Sequence, residues 1–537
     1  MLKKIFLVIN FLFLQTIFTQ NSKLSSEFYK ERRESFREKM PQNSVAVLFS
    51  APIRNRANDV NYVFHQDPNF FYLTGWHQPH SVLIIYKNPH VDKDGFYEEK
   101  IYILERDRLK ELWNGKRYSV ESVKKMGFER VLTRKSFKYD LSNLSQYDQV
   151  LIFGFNNDIR DNEDDPNDLF DLKATFKKAI NFPNSFDRNL YSVYQHILKA
   201  EKEDFKSVKE EILAHIQLDS TLIEDEIVKQ FLKKQNDDFF IEAKTKTAFL
   251  LRDYNFNLEI LPQIMKDLRE IKKNDEILLL RKAIAISVIG QVEVMKAINP
   301  KMSEREIQGI HEFVYRKYGA ADQGYPSIVG AGENGCVLHY IENEKKELDN
   351  ELVLMDLGAE YYGYTADVTR TIPSNGKFSE EQRALYEIVY EAQEKAIQAA
   401  RVGTSFDSLY KLSYDIVAAG LIRLGIIDEI SQARMYFPHG LSHHIGLDVH
   451  DPGNYKDLCA NMVITIEPGI YISAGSPCDP KWWNIGIRIE DDILITENGP
   501  VNLSEEAPRK WKEVESMMKK GSALEAFKLP EIKTLIQ

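Results

Sequence analysis

The chain contains two strand-like segments in close succession, Leu-Val-Leu-Met-Asp-Leu-Gly at 352–358 and Tyr-Thr-Ala-Asp-Val-Thr-Arg-Thr-Ile at 364–372. Glycines between them are typical of two antiparallel strands joined by a turn. Asp356 and Asp367 interrupt these segments, and a charge inside an apolar strand is costly unless it is compensated. If the strands pair, both carboxylates can meet on one face. They could bind a metal, or they could serve as a helix cap and a salt bridge to Arg370.

A histidine-rich stretch follows at 438–450, with the sequence Pro-His-Gly-Leu-Ser-His-His-Ile-Gly-Leu-Asp-Val-His. Glycines in it allow close approach of the backbone. Neutral imidazole binds divalent metals and can also carry protons. Four of the chain's 12 histidines lie here: His439, His443, His444 and His450. We interpret His444, which directly precedes an isoleucine, as an ordinary core residue and the others as candidates for a site.

Two further carboxylates interrupt apolar, strand-like runs. Glu467 lies in Ile-Thr-Ile-Glu-Pro-Gly-Ile-Tyr, and Glu490 lies in Gly-Ile-Arg-Ile-Glu-Asp-Asp. Four carboxylates and one imidazole are enough to hold two divalent ions, and oxygen-rich coordination favours Mn²⁺ over Zn²⁺. Such ions activate water and stabilise the oxyanion that forms when a carbonyl is attacked. The sequence therefore predicts metal-assisted hydrolysis, with Asp356, Asp367, Glu467 and Glu490 as the acidic ligands and one of His439, His443 and His450 as the imidazole.

Composition describes a globular protein of 537 residues, with 43% hydrophobic and 28% charged residues. This length exceeds what one hydrophobic core usually supports, so we expect two domains. The formal net charge of −11 argues against a nucleic-acid partner. After the N-terminus, no segment approaches the roughly 20 apolar residues of a membrane-spanning helix. The odd number of cysteines, 3, predicts no disulfide framework.

The N-terminus has the pattern of a secretory signal peptide. Lys3 and Lys4 precede an apolar stretch from Ile5 to Phe18 that is too short to span a bilayer comfortably. We therefore assign residues 1–20 to a signal peptide and expect an exported protein, periplasmic or secreted. An N-terminal membrane anchor is the alternative interpretation.

Alternating strands and helices predict an N-terminal α/β domain over residues 21–250. The expected first helix is Phe28–Met40, and the expected strands are Ser44–Phe49, Phe70–Leu73, Ser81–Tyr86, Lys100–Leu104 and Gln149–Phe153. Residues of about 160–250 are interpreted as an insertion of unknown role. It should contain an exposed acidic loop at Arg160–Asn167 and charged helices at Ser207–Leu213 and Ile223–Phe239.

A second domain is expected over residues 265–505, followed by a helical tail at 506–537. It begins with a helix at Asp275–Lys296, and further strands are expected at Met462–Ile466 and Ile485–Thr496. Capping boxes predict the starts of three more helices at Ser303 with Glu306, Ser379 with Gln382, and Thr404 with Asp407.

Together these motifs resemble the aminopeptidase P group of Xaa-Pro aminopeptidases, which have the creatinase or "pita-bread" fold. The segment at 69–75, Asn-Phe-Phe-Tyr-Leu-Thr-Gly, is similar to the N-terminal creatinase-like domain of that family. The motifs of the second domain that match in order lie at 330–340, 355–358, 364–370, 439–443, 447–451, 466–469 and 487–492. The resemblance implies an α/β protein with an N-terminal creatinase-like domain followed by a C-terminal pita-bread catalytic domain.

The resemblance also implies a role for each site residue. Asp356 and Asp367 would hold one metal, His443 and Glu467 the other, and Asp367 and Glu490 would bridge the two. Glu467 would also move a proton from water to the leaving nitrogen. Five other residues complete the implied site: His339 and His450 would support the transition state, and His439, Tyr471 and Arg488 would line the proline subsite.

The implied activity is release of the N-terminal residue from peptides with proline at the second position, with two divalent ions, most often Mn²⁺, in a homo-oligomeric dimer or tetramer. A prolidase, which cleaves only Xaa-Pro dipeptides, is the main alternative. Methionine aminopeptidase shares the ligand set but normally lacks the large N-terminal domain. Metal-free binding proteins and creatinases of this fold lose metal ligands, whereas this chain has a metal-competent residue at all five positions.

Overall fold

The structure is a computed structural model that describes residues 23–155, 159–160, 168–201, 203–233 and 237–524. The chain divides into two compact units, one of which is Ser25–Met265 and the other of which contains Lys266–Gln537. The expected signal peptide at 1–20 lies outside the described residues. Among the helices of the described ranges, none is long and apolar enough to cross a membrane.

A six-stranded sheet forms the centre of the N-terminal unit. The strands of this unit are β1 (Ser44–Phe49), β2 (Asn55–Ala57), β3 (Val60–Asn61), β4 (Val82–Asp92), β5 (Gly95–Ile103), β6 (Val131–Thr133), β7 (Gln149–Leu151) and β8 (Phe256–Asn257). The order in the sheet is β6-β5-β4-β1-β7-β8, and β2 pairs only with β3. Strand β1 is antiparallel to β4 but parallel to β7. The predicted strands at 44–49, 81–86, 100–104 and 149–153 are confirmed, although β4 ends later and β5 begins earlier than predicted.

Helices cover this sheet and continue into the predicted insertion. They are α1 (Ser26–Lys39), α2 (Pro68–Thr74), α3 (Arg108–Asn114), α4 (Val120–Lys124), α5 (Phe137–Asp140), α6 (Leu169–Ala179), α7 (Arg188–Lys199), α8 (Phe205–Leu218), α9 (Glu226–Lys233), α10 (Asp237–Leu251) and α11 (Ile260–Arg269). Helix α1 confirms the prediction at 28–40. Buried side chains of α7 to α10, including Val193, Ile212 and Phe231, form a hydrophobic cluster of their own.

Two predictions for the N-terminal unit are wrong. Phe70–Leu73 is part of helix α2 rather than a strand, because the Asp67 side chain accepts a hydrogen bond from the Phe70 amide and caps a helix that begins with Pro68. The single helix expected at Ile223–Phe239 instead begins as a short 3₁₀ turn, and Asp225 then caps α9 by accepting from the next amides. Most of the predicted acidic loop at Arg160–Asn167 lies outside the described residues.

The C-terminal unit is built from several small antiparallel sheets. Its strands are β9 (Asp322–Gln323), β10 (Ile328–Ala331), β11 (Leu352–Leu357), β12 (Ala359–Tyr361), β13 (Tyr364–Thr365), β14 (Val368–Pro373), β15 (Val463–Ile466), β16 (Gly469–Ile472), β17 (Ile485–Arg488), β18 (Asp491–Thr496) and β19 (Gly499–Asn502). The sheets have the orders β10-β11-β14, β13-β12-β9, β15-β18-β19 and β16-β17. The two strands expected around the glycines at 358 and 363 do pair antiparallel, as β11 and β14.

Among the described residues, the α-helices of this unit are α12 (Asn274–Ala297), α13 (Glu304–Lys317), α14 (Glu380–Ala399), α15 (Phe406–Arg423) and α16 (Trp511–Met517). Apolar residues of these helices and of the strands share one large core. The capping boxes at Ser303 and Ser379 are confirmed. The third is wrong by one residue, because Ser405 rather than Thr404 accepts the capping hydrogen bond of α15. The three cysteines are free.

Candidate metal centre

Two breaks in predicted strands bring the acidic residues to one place. The segment 364–372 is not continuous, since Asp367 lies between β13 and β14, while Asp356 lies in β11 opposite Thr369 of β14. The segment 485–496 is likewise interrupted, and Glu490 lies between β17 and β18. In a regular strand, successive side chains point to opposite faces of the sheet, and a residue between two strands is not held to this alternation. Both breaks therefore let a carboxylate turn toward the site.

Tyr325 joins the first two acidic residues. Its hydroxyl lies 2.6 Å from an oxygen of Asp356 and 2.6 Å from an oxygen of Asp367. The Asp367 amide donates to Asp492 at 3.1 Å, which fixes the backbone at the break. Arg370 does not pair with Asp367, because its guanidinium is bound to Asp491 at 2.7 Å. The alternative of an Asp367–Arg370 salt bridge is therefore wrong.

His443 faces the same acidic residues from the histidine-rich stretch. Its Nδ1 lies 3.0 Å from the carbonyl oxygen of His444, so a proton on Nδ1 leaves Nε2 available as a ligand. That Nε2 lies 3.5 Å from Asp367 Oδ2 and 3.5 Å from Glu467 Oε1. One ligand atom each from Asp367, His443 and Glu490 lie within 4.8 Å of one another. These three buried residues are a candidate metal-binding group.

Glu490 is held in place by β14. The hydroxyl of Thr369 donates to Glu490 Oε2 at 2.6 Å, and Arg370 donates to the Glu490 carbonyl at 2.6 Å. Only 1% of Glu490 is exposed to solvent. The carboxylate therefore has a fixed orientation before any ion binds, which favours tight and specific coordination.

The predicted proline-subsite residues form a second hydrogen-bonded group. Tyr471 Oη lies 2.9 Å from His439 Nε2 and 2.8 Å from Arg488 Nη1. Arg488 also donates to Asp356 at 2.5 Å, so this group is tied directly to the acidic cluster. His439 Nδ1 lies 3.8 Å from Glu467 Oε2.

A cavity of about 310 Å³ contains all but one of the predicted site residues. Tyr471 is the exception, and it is hydrogen-bonded to two of the lining residues, His439 and Arg488. His444 does not line the cavity and is fully buried between the rings of Phe406 and Tyr455, as expected for a core residue. The cavity is lined by Leu338, His339, Asp356, Asp367, His439, Gly440, Ser442, His443, His450, Glu467, Arg488 and Glu490.

Burial and mutual repulsion dominate the electrostatics of the acidic residues. Burial, followed by the Asp356 carboxylate, raises the pKa of Asp367 well above its usual range. Burial, followed by Asp367, does the same to the pKa of Glu490. Burial raises the pKa of Glu467 to about 7. Asp356 differs, because the Arg488 guanidinium and the Tyr325 hydroxyl outweigh its burial and lower its pKa.

These properties fit divalent cations. Buried carboxylates at this spacing are unfavourable together unless a positive charge lies among them, and carboxylate and imidazole are ligands that such ions accept. Arg488 is the main compensating cation that the chain itself provides at the cluster. A metal ion would supply further positive charge to compensate the carboxylates of Asp367, Glu467 and Glu490.

Several residues of the site were not predicted. Tyr325, Thr369 and Asp492 hold the acidic residues in place, and Leu338 and Ser442 line the cavity. Tyr325 lies in Gly-Tyr-Pro-Ser, a segment with no metal-binding pattern of its own. Only the paired strands bring it to Asp356 and Asp367, so no local signal could have identified it.

The α/β fold and this cluster of carboxylates and imidazoles define a metal-dependent enzyme. Residues 279–497 match metallopeptidase family M24, and residues 29–153 match the aminopeptidase P N-terminal domain. The chain is 31% identical to Xaa-Pro aminopeptidase of Escherichia coli strain K12 over 93% of this chain and 98% of the relative. It therefore belongs to the Xaa-Pro aminopeptidase family, and it is a metallo-aminopeptidase with a pita-bread catalytic domain.

Solved structures agree with this assignment. Aminopeptidase P from E. coli with the inhibitor Pro-Leu is similar with a TM-score of 0.71 and 30% identity, covering 92% of this chain and 98% of that one. Proline aminopeptidase P II from Yersinia pestis is similar with a TM-score of 0.69 and 30% identity, covering 92% and 99%. The predicted family and fold are confirmed. The region at 160–250 lies between the two matched domains.

Proposed function

We propose that the protein releases the N-terminal residue from peptides with proline at the second position. The observation that carries the proposal is one cavity in which the five predicted metal ligands lie beside the His439, Arg488 and Tyr471 group. Relatives named Xaa-Pro aminopeptidase support it. The solved relative that holds the inhibitor Pro-Leu supports recognition of a proline-containing peptide.

Two divalent ions are the proposed cofactors, and Mn²⁺ is the proposed metal. Asp356 and Asp367 would hold one ion, His443 and Glu467 the other, and Asp367 and Glu490 would lie between them. Bound ions of this kind polarise the scissile carbonyl and make water more acidic. Four carboxylates and one imidazole are five ligand residues, more than the four ligands of one tetrahedral site, which supports a count of two. Elemental analysis after reconstitution with excess Mn²⁺ should reach two ions per chain, and saturation at one ion contradicts the count.

Glu467 is the proposed proton carrier. A carboxylate within hydrogen-bond reach of the proton that it moves can serve as general base and then as general acid. One of its oxygens faces His443 and the other faces His439. The carboxylate can therefore accept a proton from water and pass it to the proline nitrogen as the peptide bond breaks.

The imidazoles around the cavity have distinct proposed roles. His339 and His450 would donate hydrogen bonds to the oxyanion, which is the charge that develops in the transition state. Burial lowers the pKa of His439 to about 4, so this ring stays neutral at neutral pH and can make directed hydrogen bonds. With Tyr471 and Arg488 it would form one wall of the proline subsite.

Export and assembly are further proposals. A signal peptide at 1–20 is supported by Lys3, Lys4 and the apolar stretch that follows, and mature protein should begin near residue 20. N-terminal sequencing of protein from its source tests this, because an intact Met1 contradicts export. A homo-oligomer, dimer or tetramer, is proposed from the family resemblance and is tested by light scattering.

A peptide panel tests the activity and separates it from the prolidase alternative. The protein with added Mn²⁺ is incubated with matched Xaa-Pro-Xaa, Xaa-Pro and Xaa-Ala-Xaa peptides, and the released first residue is quantified. We expect efficient release from the proline tripeptide. Cleavage of the dipeptide alone would identify a prolidase, and equal cleavage of the alanine tripeptide would exclude a proline-specific enzyme.

A further inference from the structure

The segment that carries His339 has little regular structure of its own. Residues 338–342 belong to no helix or strand, and His339 and its neighbours Val337 and Ile341 are exposed. His339 nevertheless lines the cavity beside the metal ligands. A hydrogen-bond donor to a transition state must be held within a fraction of an ångström to be effective. The position of His339 therefore depends on contacts made by residues on either side of it.

Glu304 provides these contacts from the first turn of α13. Its side chain is 0% exposed, although it begins a helix. One carboxylate oxygen accepts from the Ala331 amide at 2.8 Å and from Asn334 Nδ2 at 3.0 Å. The other oxygen accepts from Tyr340 Oη at 2.9 Å and from the Lys345 amide at 2.8 Å. A single buried carboxylate thus holds both ends of the segment.

Further hydrogen bonds strengthen this connection. The Glu304 amide donates to the Lys345 carbonyl at 3.0 Å. One turn later on the same helix face, Gln308 accepts from Asn343 Nδ2 at 3.0 Å. Asn343 also accepts from the Val329 amide at 2.9 Å, although its φ of 50° is unusual for a residue other than glycine. Because residues four apart lie on one helix face, α13 presents a polar pair to the segment.

We propose that Glu304 is a positioning residue for the reaction, because its carboxylate holds the segment that carries His339 over the metal centre. The inference rests on the proposed function, in which His339 stabilises the transition state. Glu304 itself does not line the cavity. It acts through Tyr340, which directly follows His339, and through Lys345.

Glu304→Gln is the informative variant because it keeps the shape of the side chain. The carboxylate of glutamate has two acceptor oxygens, whereas the amide of glutamine has one oxygen and one NH₂ group. In the variant, the NH₂ group therefore faces two hydrogen-bond donors that the carboxylate satisfied. If the nitrogen faces Lys345, the half-buried amide of Lys345 loses its partner. The loss of such a bond typically costs enough to lower a dependent rate constant about tenfold.

A double-mutant cycle with His339→Ala tests the inference. In the wild-type background, Glu304→Gln should lower kcat on an Xaa-Pro-Xaa peptide about tenfold, with unchanged metal content. In the His339→Ala background, the same change should have less than about a twofold effect, because the residue that it positions is absent. Tyr340→Phe, which removes only one of the four donors, should show the same dependence with a smaller loss.

Glu276→Gln is the matched control. Glu276 is also a buried carboxylate in the first turn of a helix, where it accepts from the Lys273 amide at 2.8 Å and from Tyr364 Oη at 3.0 Å. A general loss of stability should reduce kcat by the same factor with and without His339. We therefore expect Glu276→Gln to lower kcat by the same factor in the wild-type and His339→Ala backgrounds.

Each outcome has a separate meaning. If Glu304→Gln and Tyr340→Phe lower kcat by the same factor with and without His339, the positioning role is wrong. It is also wrong if His339→Ala is as active as wild type. If Glu304→Gln does not fold, Tyr340→Phe decides by the same criterion. If the wild-type protein with metal does not cleave Xaa-Pro-Xaa at all, the proposed function fails instead.

Discussion

Replacing Glu467 by glutamine separates metal binding from proton transfer. The Glu467 carboxylate lies 3.5 Å from His443 Nε2 and 3.8 Å from His439 Nδ1, so it touches both the metal group and the proline-subsite group. Glutamine keeps the length of the side chain and one oxygen that can face an ion. It cannot accept a proton at neutral pH. The variant should therefore bind metal but lack the proton carrier.

The size of the effect follows from the role assigned to the residue. Proton transfer by a positioned side chain contributes about 10² to 10⁴ in rate. At about 1.36 kcal/mol for each factor of ten, this corresponds to about 3 to 5 kcal/mol in the activation barrier. The loss should be in kcat rather than in KM, because the proton moves only in the transition state.

Steady-state kinetics on an Xaa-Pro-Xaa peptide, combined with metal analysis of the same samples, measure this effect. Glu467→Ala is the comparison, since it removes the ligand as well as the proton carrier and should lose both metal and activity. His339→Ala should retain metal and the proton carrier while losing transition-state support. If Glu467→Gln works within a few fold of wild type at full metal occupancy, the proton travels through another residue, and His439 is the next candidate.

Three further predictions concern charge and stability. Metal binding should release protons and weaken as the pH falls below about 7, because Glu467, Asp367 and Glu490 have raised pKa values and must lose protons to bind; calorimetry in buffers of different ionisation enthalpy measures this, and no proton release contradicts it. Asp451→Asn should cost about 3 to 5 kcal/mol in urea unfolding, because it removes the carboxylate that pairs with the buried Lys272 and with Arg269, whose remaining partner is Asp448; a cost below about 1 kcal/mol refutes it. Burial lowers the pKa of His311 to about 3, so below pH 6.5 the unfolded chain binds more protons than the folded chain. The contribution of His311 to the free energy of unfolding is complete above pH 6.5 and falls by about 1.4 kcal/mol for each pH unit toward pH 3. His311→Leu should show a smaller loss of stability between pH 6.5 and 5 than wild type, and identical slopes refute the assignment.

The acidic residues of the site were predictable because each interrupts an apolar run of the sequence, whereas His339, Tyr471 and Arg488 were predicted only through the family resemblance. A carboxylate inside an apolar run, as at Asp356 and Glu490, is unfavourable without compensation, so it marks a site in the sequence itself. The strands that hold these residues were predictable from their apolar runs. The two breaks at Asp367 and Glu490 were not, because a strand interrupted by two residues has nearly the same composition as a continuous one.

The predictions that failed show where tertiary structure and capping override local propensity. Phe70–Leu73 is rich in aromatic residues, which favour a strand, but Asp67, Pro68 and Gly75 fix the start and end of a helix. Tyr325 and Glu304 could not be identified from their own segments. Each acts through partners distant in sequence, and only the folded chain brings those partners together.

The most direct test of the account follows one Xaa-Pro-Xaa peptide by mass spectrometry with protein that has been stripped by a chelator and then supplied with Mn²⁺. The account predicts no cleavage before the metal is added. After addition, one product should be lighter than the substrate by its N-terminal residue alone. Cleavage after the proline, or the same cleavage in the presence of excess chelator, would contradict a metal-dependent Xaa-Pro aminopeptidase.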